Sequence, residues 1–343
     1  MKKTDEELYW SQYDFTKIPF DDIVSVGQRT LLYRDLFSIS WLLGRFCNYK
    51  CSYCWPYARS DRKDHRPTAL NLATIDEIKK QARENGFNSF HFSLSGGEPT
   101  FHPGYLDMLQ HLVDDVENTN YTSVHMTTNM SRNLKWHQEY CDIVAQVHRA
   151  SITASFHSEF AKKEEFADKL IFCMERDVQV TVNMVLVPEW FDRDWDVAMY
   201  FHERGINVTL KPQSDPTASF VVHGYTKEQL VMMQNGMPQR DYTKVLQKET
   251  GIKVVRPKPK VGMWKMDMQN GDDKSVPPVM QVEFQDSKGK KWYIDQAERF
   301  NAFNFNKFKG WDCTSGFKGI IIREPDGSIK RSYSCADEPL GYV

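Results

Sequence analysis

The sequence predicts an α/β protein, a partial (β/α)6 barrel with parallel strands, followed by a small C-terminal α+β extension. Three observations predict it. Six runs rich in Val, Ile, Thr and aromatics recur between residues 38 and 211, amphipathic helical patterns separate them, and after about residue 213 hairpin signals replace that rhythm. Alternation of strand and helix calls for parallel strands. Six repeats instead of eight leave a barrel open, with a flat sheet as the competing geometry.

The strand-like runs are 38–46, 88–95, 121–129, 151–157, 180–188 and 206–211. The first helical pattern, 74–85, opens on Thr74 with Glu77 three residues on, a capping-box spacing, and closes on Asn85-Gly86. In 103–117, Pro103 suits a first helical turn, and positions 105, 108, 109, 112 and 116 share one apolar face. Further helical patterns cover 137–147, 163–175, 193–204 and 226–235. Two hairpins follow, one turning near Ser287–Gly289 and the other at Pro325-Asp326-Gly327. The chain therefore divides into a lead-in (1–37), a core (38–213) and an extension (214–343).

A formal net charge of −2 argues against a nucleic-acid-binding protein. The basic stretch Lys253, Arg256, Lys258 and Lys260 reads as a solvated connector or as a wall for an anionic substrate. The N-terminus shows no signal peptide, and no run of 18 apolar residues exists, so a cytoplasmic protein without a membrane span is expected. Seven cysteines, an odd number in a chain of 343 residues, fit a disulfide scaffold poorly.

Three of those cysteines, Cys47, Cys51 and Cys54, crowd into eight residues. Thiolates at this spacing can converge on one soft metal centre. Zinc would want a fourth ligand close by, and the next histidine, His65, lies eleven residues beyond Cys54. A four-iron cluster held by three cysteines keeps one iron open for a ligand. Cys47, Gly96, Gly97, Asn129, His157 and Lys211 all fall at or just past predicted strand ends, where ligands gather in this fold class.

The cysteine triplet, with Tyr53 before its last member, and the segment Ser95-Gly96-Gly97-Glu98-Pro99 at the end of the second strand together resemble the radical S-adenosylmethionine (SAM) superfamily over residues 38–212. The resemblance implies a 4Fe-4S cluster on Cys47, Cys51 and Cys54, and SAM bound at its open iron and cleaved by one electron from a flavodoxin or ferredoxin. It implies that Gly96, Gly97 and Glu98 surround the methionine amine, small glycines allowing close approach. Thr128-Asn129 corresponds to a polar pair near the ribose. Ser155 and His157 correspond to ribose or carboxylate contacts, Asn183 to a further cofactor contact, and Tyr53 to packing on the cluster or the adenine. Lys211 and Gln213 end the sixth strand and could face substrate. Each has a plainer reading: Asn129 as a turn residue, Ser155 as a small strand-closing residue, His157 as a satisfied loop histidine, Asn183 as a hydrogen-bonded strand residue, Lys211 as a solvated strand end, and Tyr53 as core filling.

The tail from Cys313-Thr-Ser-Gly316 to Cys335 resembles the opening hairpin of a truncated SPASM/twitch-type extension, without that extension's later cysteines. Three readings stay open: a degenerate fold without clusters, a cluster completed by Asp or substrate, or a functional thiol at Cys313 or Cys335. Cys141 and Cys173 fall in predicted helices and read as core. The expected activity is hydrogen abstraction from a small polar or nucleotide- or sugar-like metabolite. The alternatives are a peptide maturase and a non-catalytic iron–sulfur or zinc scaffold.

Overall fold

A computed structural model describes residues 19–28, 35–55, 58–216, 221–233, 282–294, 316–324, 326–332 and 338–342. In chain order its elements are β1 (Ile23–Gln28), β2 (Leu36–Leu42), α1 (Thr68–Glu84), β3 (Ser89–Ser95), α2 (Tyr105–Asp114), β4 (Tyr121–Thr128), α3 (Leu134–Val144) and β5 (Arg149–Phe156). Then come α4 (Lys163–Met174), β6 (Gln179–Leu186), α5 (Phe191–Glu203), β7 (Asn207–Pro212), α6 (Lys227–Met233), β8 (Val282–Asp286), β9 (Lys291–Ile294), β10 (Gly319–Arg323), β11 (Ser328–Lys330) and β12 (Gly341–Tyr342). The described residues form two compact units, one of 19–28 with 282–294, the other of the rest.

In the larger unit β2 to β7 pair in sequence order, every pair parallel. A monotonic order means that each crossover steps the same way, which puts the helices on one face. The side chains obey this. Ile39, Phe90, Phe92, Met126, Val182 and Val208 are buried in one core with the apolar faces of α1 to α5. Their neighbours along the strands, such as Ser40, His91, His125, Thr153, Asn183 and Thr209, point to the opposite face and are half-buried. The strands therefore alternate apolar and polar, where a sheet covered on both sides would read as continuous apolar runs. One-sided helix cover is what a barrel requires, and the six predicted strands are present as an open sheet with flanking helices.

Three local expectations are corrected. α1 begins at Thr68, after Pro67, six residues before the predicted start. Thr74 caps nothing: its hydroxyl donates to Leu70 O at 2.8 Å and accepts from Arg66 Nη1 at 2.9 Å. Pro103 stays outside α2, whose N-cap is Gly104. The two predicted hairpins both form, but in different sheets. β8 and β9 make a three-stranded antiparallel sheet with β1 in the smaller unit. β10 instead runs parallel to β2 and extends the main sheet with β11 and β12, giving nine strands among the described residues. No described helix is long and apolar enough to cross a membrane.

Candidate active site

The loop after β2 carries Cys47, Cys51 and Cys54, and the strand ends around it hold it by name. Its neck is fastened first. Leu43 N donates to Ser95 O at 2.8 Å, Gly97 N to Gly44 O at 3.1 Å, and Glu98 N to Phe46 O at 2.6 Å. This backbone-to-backbone approach is what the glycines permit. A Cβ on Gly97 would lie 2.2 Å from Phe46 O and 2.4 Å from Arg45 O, and one on Gly96, whose φ is +140°, would lie 2.5 Å from Gly44 O. The two motifs that stand 42 residues apart, counting from Cys54 to Gly96, are thus one structural unit.

Glu98 is 1 % exposed, and its carboxylate is occupied by the protein. Oε1 accepts from Thr100 N (3.3 Å), Thr100 Oγ1 (2.6 Å) and Thr128 Oγ1 (2.7 Å), while Oε2 accepts from Asn129 N (2.6 Å). Burial pushes its pKa up, and these four donors hold it back. Glu98 therefore ties the end of β3 to the end of β4. Asn129 continues the chain of contacts. Its Nδ2 donates to Asn48 Oδ1 at 2.9 Å and lies 3.9 Å from Cys47 Sγ, and its Oδ1 accepts from Ser131 N at 3.0 Å.

The β5 end closes on the other side of the loop. Tyr53 Oη and His157 Nδ1 are 2.7 Å apart, and the two rings stack with centroids 5.8 Å apart. Burial lowers the His157 pKa to about 4, so the ring is neutral. Ser52 N donates to Glu159 Oε2 at 2.9 Å, and Tyr49 stacks on Phe160 with centroids 4.8 Å apart. Beyond β7, Trp55 Nε1 donates to Ser214 Oγ at 3.0 Å. Ser155, Asn183 and Thr209 sit in register across β5, β6 and β7 on the polar face. Lys211 follows two residues on and is exposed. Cys313 and Cys335 lie outside the described residues. Cys141 and Cys173 are buried in α3 and α4. Asn48, Glu159, Tyr49 and Ser214 were not singled out from the sequence. Asn48 and Tyr49 shared the one usable signal, their place inside the cysteine triplet.

The donor set fits an iron–sulfur cluster. Burial raises the pKa of all three thiols; for Cys51 burial, then Glu159, Cys47 and Cys54, push it up to about 12. Three crowded, partly desolvated thiols keep their protons until a cation replaces them, and iron supplies that charge. Among the described residues no three His, Cys, Asp or Glu side chains converge on a single-ion position. A four-iron cube takes each thiolate at a separate corner and needs no such point.

Comparison with known proteins bears on this geometry. The family model described as the radical SAM superfamily matches residues 41–201. Among solved structures, one described as native anSMEcpe with bound AdoMet and Kp18Cys peptide is 16% identical, at a TM-score of 0.45, covering 90% of this chain and 77% of that one. A mutant of galacturonate dehydratase from Geobacillus sp. complexed with Mg is 11% identical at 0.27, covering 71% and 59%. No curated protein matches. The chain carries a radical SAM domain over residues 41–201, and a domain of that kind works as an enzyme with a 4Fe-4S cluster and SAM as its cofactors.

Proposed function

We propose that this enzyme cleaves SAM reductively and directs the 5′-deoxyadenosyl radical at a C–H bond of a small polar or nucleotide- or sugar-like metabolite, which then rearranges, epimerises, is oxidised or forms a C–C bond. The observation that carries this reading is the joining of the cysteine loop to Gly97 and Glu98 through main-chain hydrogen bonds to Gly44 and Phe46. Cys47, Cys51 and Cys54 would hold the cluster. When bound, the cluster supplies one electron to the sulfonium and an open iron for the amino-acid end of SAM.

The chain's own residues do the rest. Asn129, fixed by Glu98 and Asn48, offers its amide beside Cys47. Tyr53, held by the neutral His157, gives an aromatic wall next to the last cysteine. Ser155 and Asn183, side by side on the polar face, offer hydroxyl and amide groups to ribose or carboxylate oxygens. Lys211 would meet substrate at the β7 end. A half-buried face lined by Ser, Thr, His and Asn suits a ligand rich in hydroxyls. Cytoplasmic flavodoxin or ferredoxin is the proposed electron source.

The test is anaerobic. Reconstituted protein reduced with dithionite is incubated with SAM, and 5′-deoxyadenosine and methionine are quantified. Their formation in step with iron content supports the reading; none of either product from protein with a full cluster sinks it.

A further inference from the structure

Between residues 43 and 67 the chain carries six Lys and Arg against two Asp, in a sequence whose formal net charge is −2. These charges divide into two sets. Asp61 pairs with both Lys50 and Arg59, and Arg66 donates to Asn71 Oδ1 at 3.1 Å and Thr74 Oγ1 at 2.9 Å. Arg45, Arg62 and Lys63 are exposed and have no carboxylate partner among the described residues. Arg132, half-buried four residues past the end of β4, has none either. Asp64, exposed beside Lys63, offsets one of these four charges.

Aromatic rings position two of the four. Lys63 Nζ lies 5.2 Å from the centroid of the Phe46 ring. Arg132 Cζ lies 4.9 Å from the centroid of Phe101 and 5.7 Å from that of Trp136. Phe46 and Phe101 meet edge to face, with centroids 5.8 Å apart. A ring face holds a cation in place without cancelling its charge, as a carboxylate would. Both sequence motifs build this platform: Phe46 precedes Cys47, and Phe101 closes the 3-10 turn that follows Glu98. Main-chain bonds tie the segments together. Ser60 N donates to Arg45 O at 2.7 Å and Cys47 N to Ser60 O at 3.3 Å, so Arg62 and Lys63 leave directly from the Cys47 neck. Arg62 N donates to Ser60 Oγ at 3.1 Å.

We propose that this cationic ridge is the docking surface for an acidic one-electron carrier protein, with Arg45, Arg62, Lys63 and Arg132 meeting its carboxylates beside Cys47. The inference rests on the radical reading above and gives its electron source a place on the chain. One electron leaves the reduced cofactor of the carrier and enters the cluster, and no bond or proton changes hands. The four cations stand on three segments and share no hydrogen-bond acceptor. That is the pattern of a rim that steers a charged partner, where a pocket for a small anion would converge its donors. In a chain of net charge −2, positive excess confined to the cysteine loop turns an acidic partner toward Cys47.

The experiment is calorimetric titration of oxidised flavodoxin, and in parallel of an oxidised acidic [2Fe–2S] ferredoxin, into the reconstituted full chain. One-to-one binding of at least one carrier is expected, weakening about fivefold between about 0.05 M and about 0.2 M salt. Lys63→Glu and Arg62→Glu should each weaken it about tenfold. Lys80→Glu, on the exposed side of α1, is the control and should bind as wild type does. Lys63 and Arg62 are exposed, and thermal unfolding with iron analysis verifies that fold and cluster are kept. Binding of neither carrier, or equal affinity in wild type and both ridge variants, overturns the proposal. A single-stranded oligonucleotide bound more tightly than either carrier reassigns the ridge to nucleic acid and overturns it too. Formation of 5′-deoxyadenosine by wild-type protein is measured separately, with dithionite and without a carrier. Carrier binding without cleavage therefore fails the radical reading alone, and cleavage without carrier binding fails the ridge alone.

Discussion

Trp41 Nε1 donates to Glu324 Oε1 at 3.0 Å, joining residues 283 positions apart. Trp41 is fully buried one residue before the end of β2, and Glu324 directly follows β10 and donates its own N–H to Leu42 O at 3.0 Å. The strand that feeds the cysteine loop is therefore bonded to the C-terminal hairpin by a buried polar pair. Glu324→Leu should leave the indole N–H unsatisfied and cost about 1–3 kcal/mol, whereas Glu324→Gln keeps an acceptor and should cost less. A double-mutant cycle with Trp41→Phe, read by urea unfolding, should give a coupling near 1 kcal/mol. Additive losses would show the hydrogen bond to be idle.

Glu98 offers a second test of positioning. In Glu98→Gln one oxygen can still accept from Thr100 and Thr128, but an NH2 group then faces the Asn129 N–H, donor against donor. The clash should cost about 1–3 kcal/mol and displace Asn129 from Asn48 and Cys47. The expected result is weaker SAM binding by calorimetry, with iron content less affected. Unchanged SAM affinity would make the Glu98 network a purely local brace.

The sequence disclosed the six core strands because each face of each strand is written in alternate residues, as in Val180, Val182 and Met184 against Thr181 and Asn183. The helix ends were harder. Thr74 and Glu77 have capping-box spacing, yet the helix begins at Thr68, six residues earlier, behind Pro67, and local spacing does not register that the turn before Thr74 is already helical. The partners of β1 and β10 were illegible for a different reason. A hairpin signal is local, but pairing of Ile39 with Ile320 or of Val26 with Phe284 is decided by packing between segments far apart in the chain. In the site, cysteines and glycines announced themselves by type. Glu159 meets the main-chain N–H of Ser52 and Asn48 the side chain of Asn129, contacts across long sequence separations that residue type does not encode.

Lys79 and Asp115 link the fold to pH. Lys79 is 3% exposed, its Nζ lies 2.7 Å from Asp115 Oδ2, and Arg83 Nη2 lies 2.8 Å from the same oxygen. Burial alone would raise the Asp115 pKa, but hydrogen bonds from Lys79 and Arg83 outweigh it and lower it to about 2. Burial also lowers the Lys79 pKa more than Asp115 restores it, so the pair is worth most as the neutraliser of a buried cation. A carboxylate depressed on folding stabilises above its unfolded pKa near 4, and that contribution fades as pH falls through about 2. Asp115→Asn should cost about 3 kcal/mol at neutral pH and flatten the acid limb between pH 4 and 2. Thermal unfolding of wild type and variant across that window checks both, and parallel curves would refute the linkage.

Cys51 tests the metal assignment. Its thiol is half-buried between Cys47, Cys54 and Glu159. Cys51→Ala should abolish the cluster, taking iron and sulfide from about four each per chain to background, together with all 5′-deoxyadenosine formation. Iron, sulfide and zinc analysis of anaerobic preparations reads the outcome. One zinc per wild-type chain, with no sulfide, would replace the cluster with a structural ion.

Gly97→Ala asks whether the two motifs are one unit. The new Cβ would sit 2.2 Å and 2.4 Å from the carbonyl oxygens of Phe46 and Arg45, both backbone atoms that no rotamer change can move. Gly97 and Glu98 would have to withdraw from Gly44 and Phe46, breaking the 3.1 Å and 2.6 Å hydrogen bonds that hold the neck of the cysteine loop. The effect should appear at the metal, although residue 97 is no ligand: a cluster reconstituted to a fraction of the wild-type iron content and lost faster to a chelator. The core under α1 to α5 does not include Gly97, so the secondary-structure signal in circular dichroism should persist. Glycine-to-alanine cost without cluster loss would mean that the cysteine loop keeps its shape unaided, and the main-chain joint between the motifs would then have no part in holding iron.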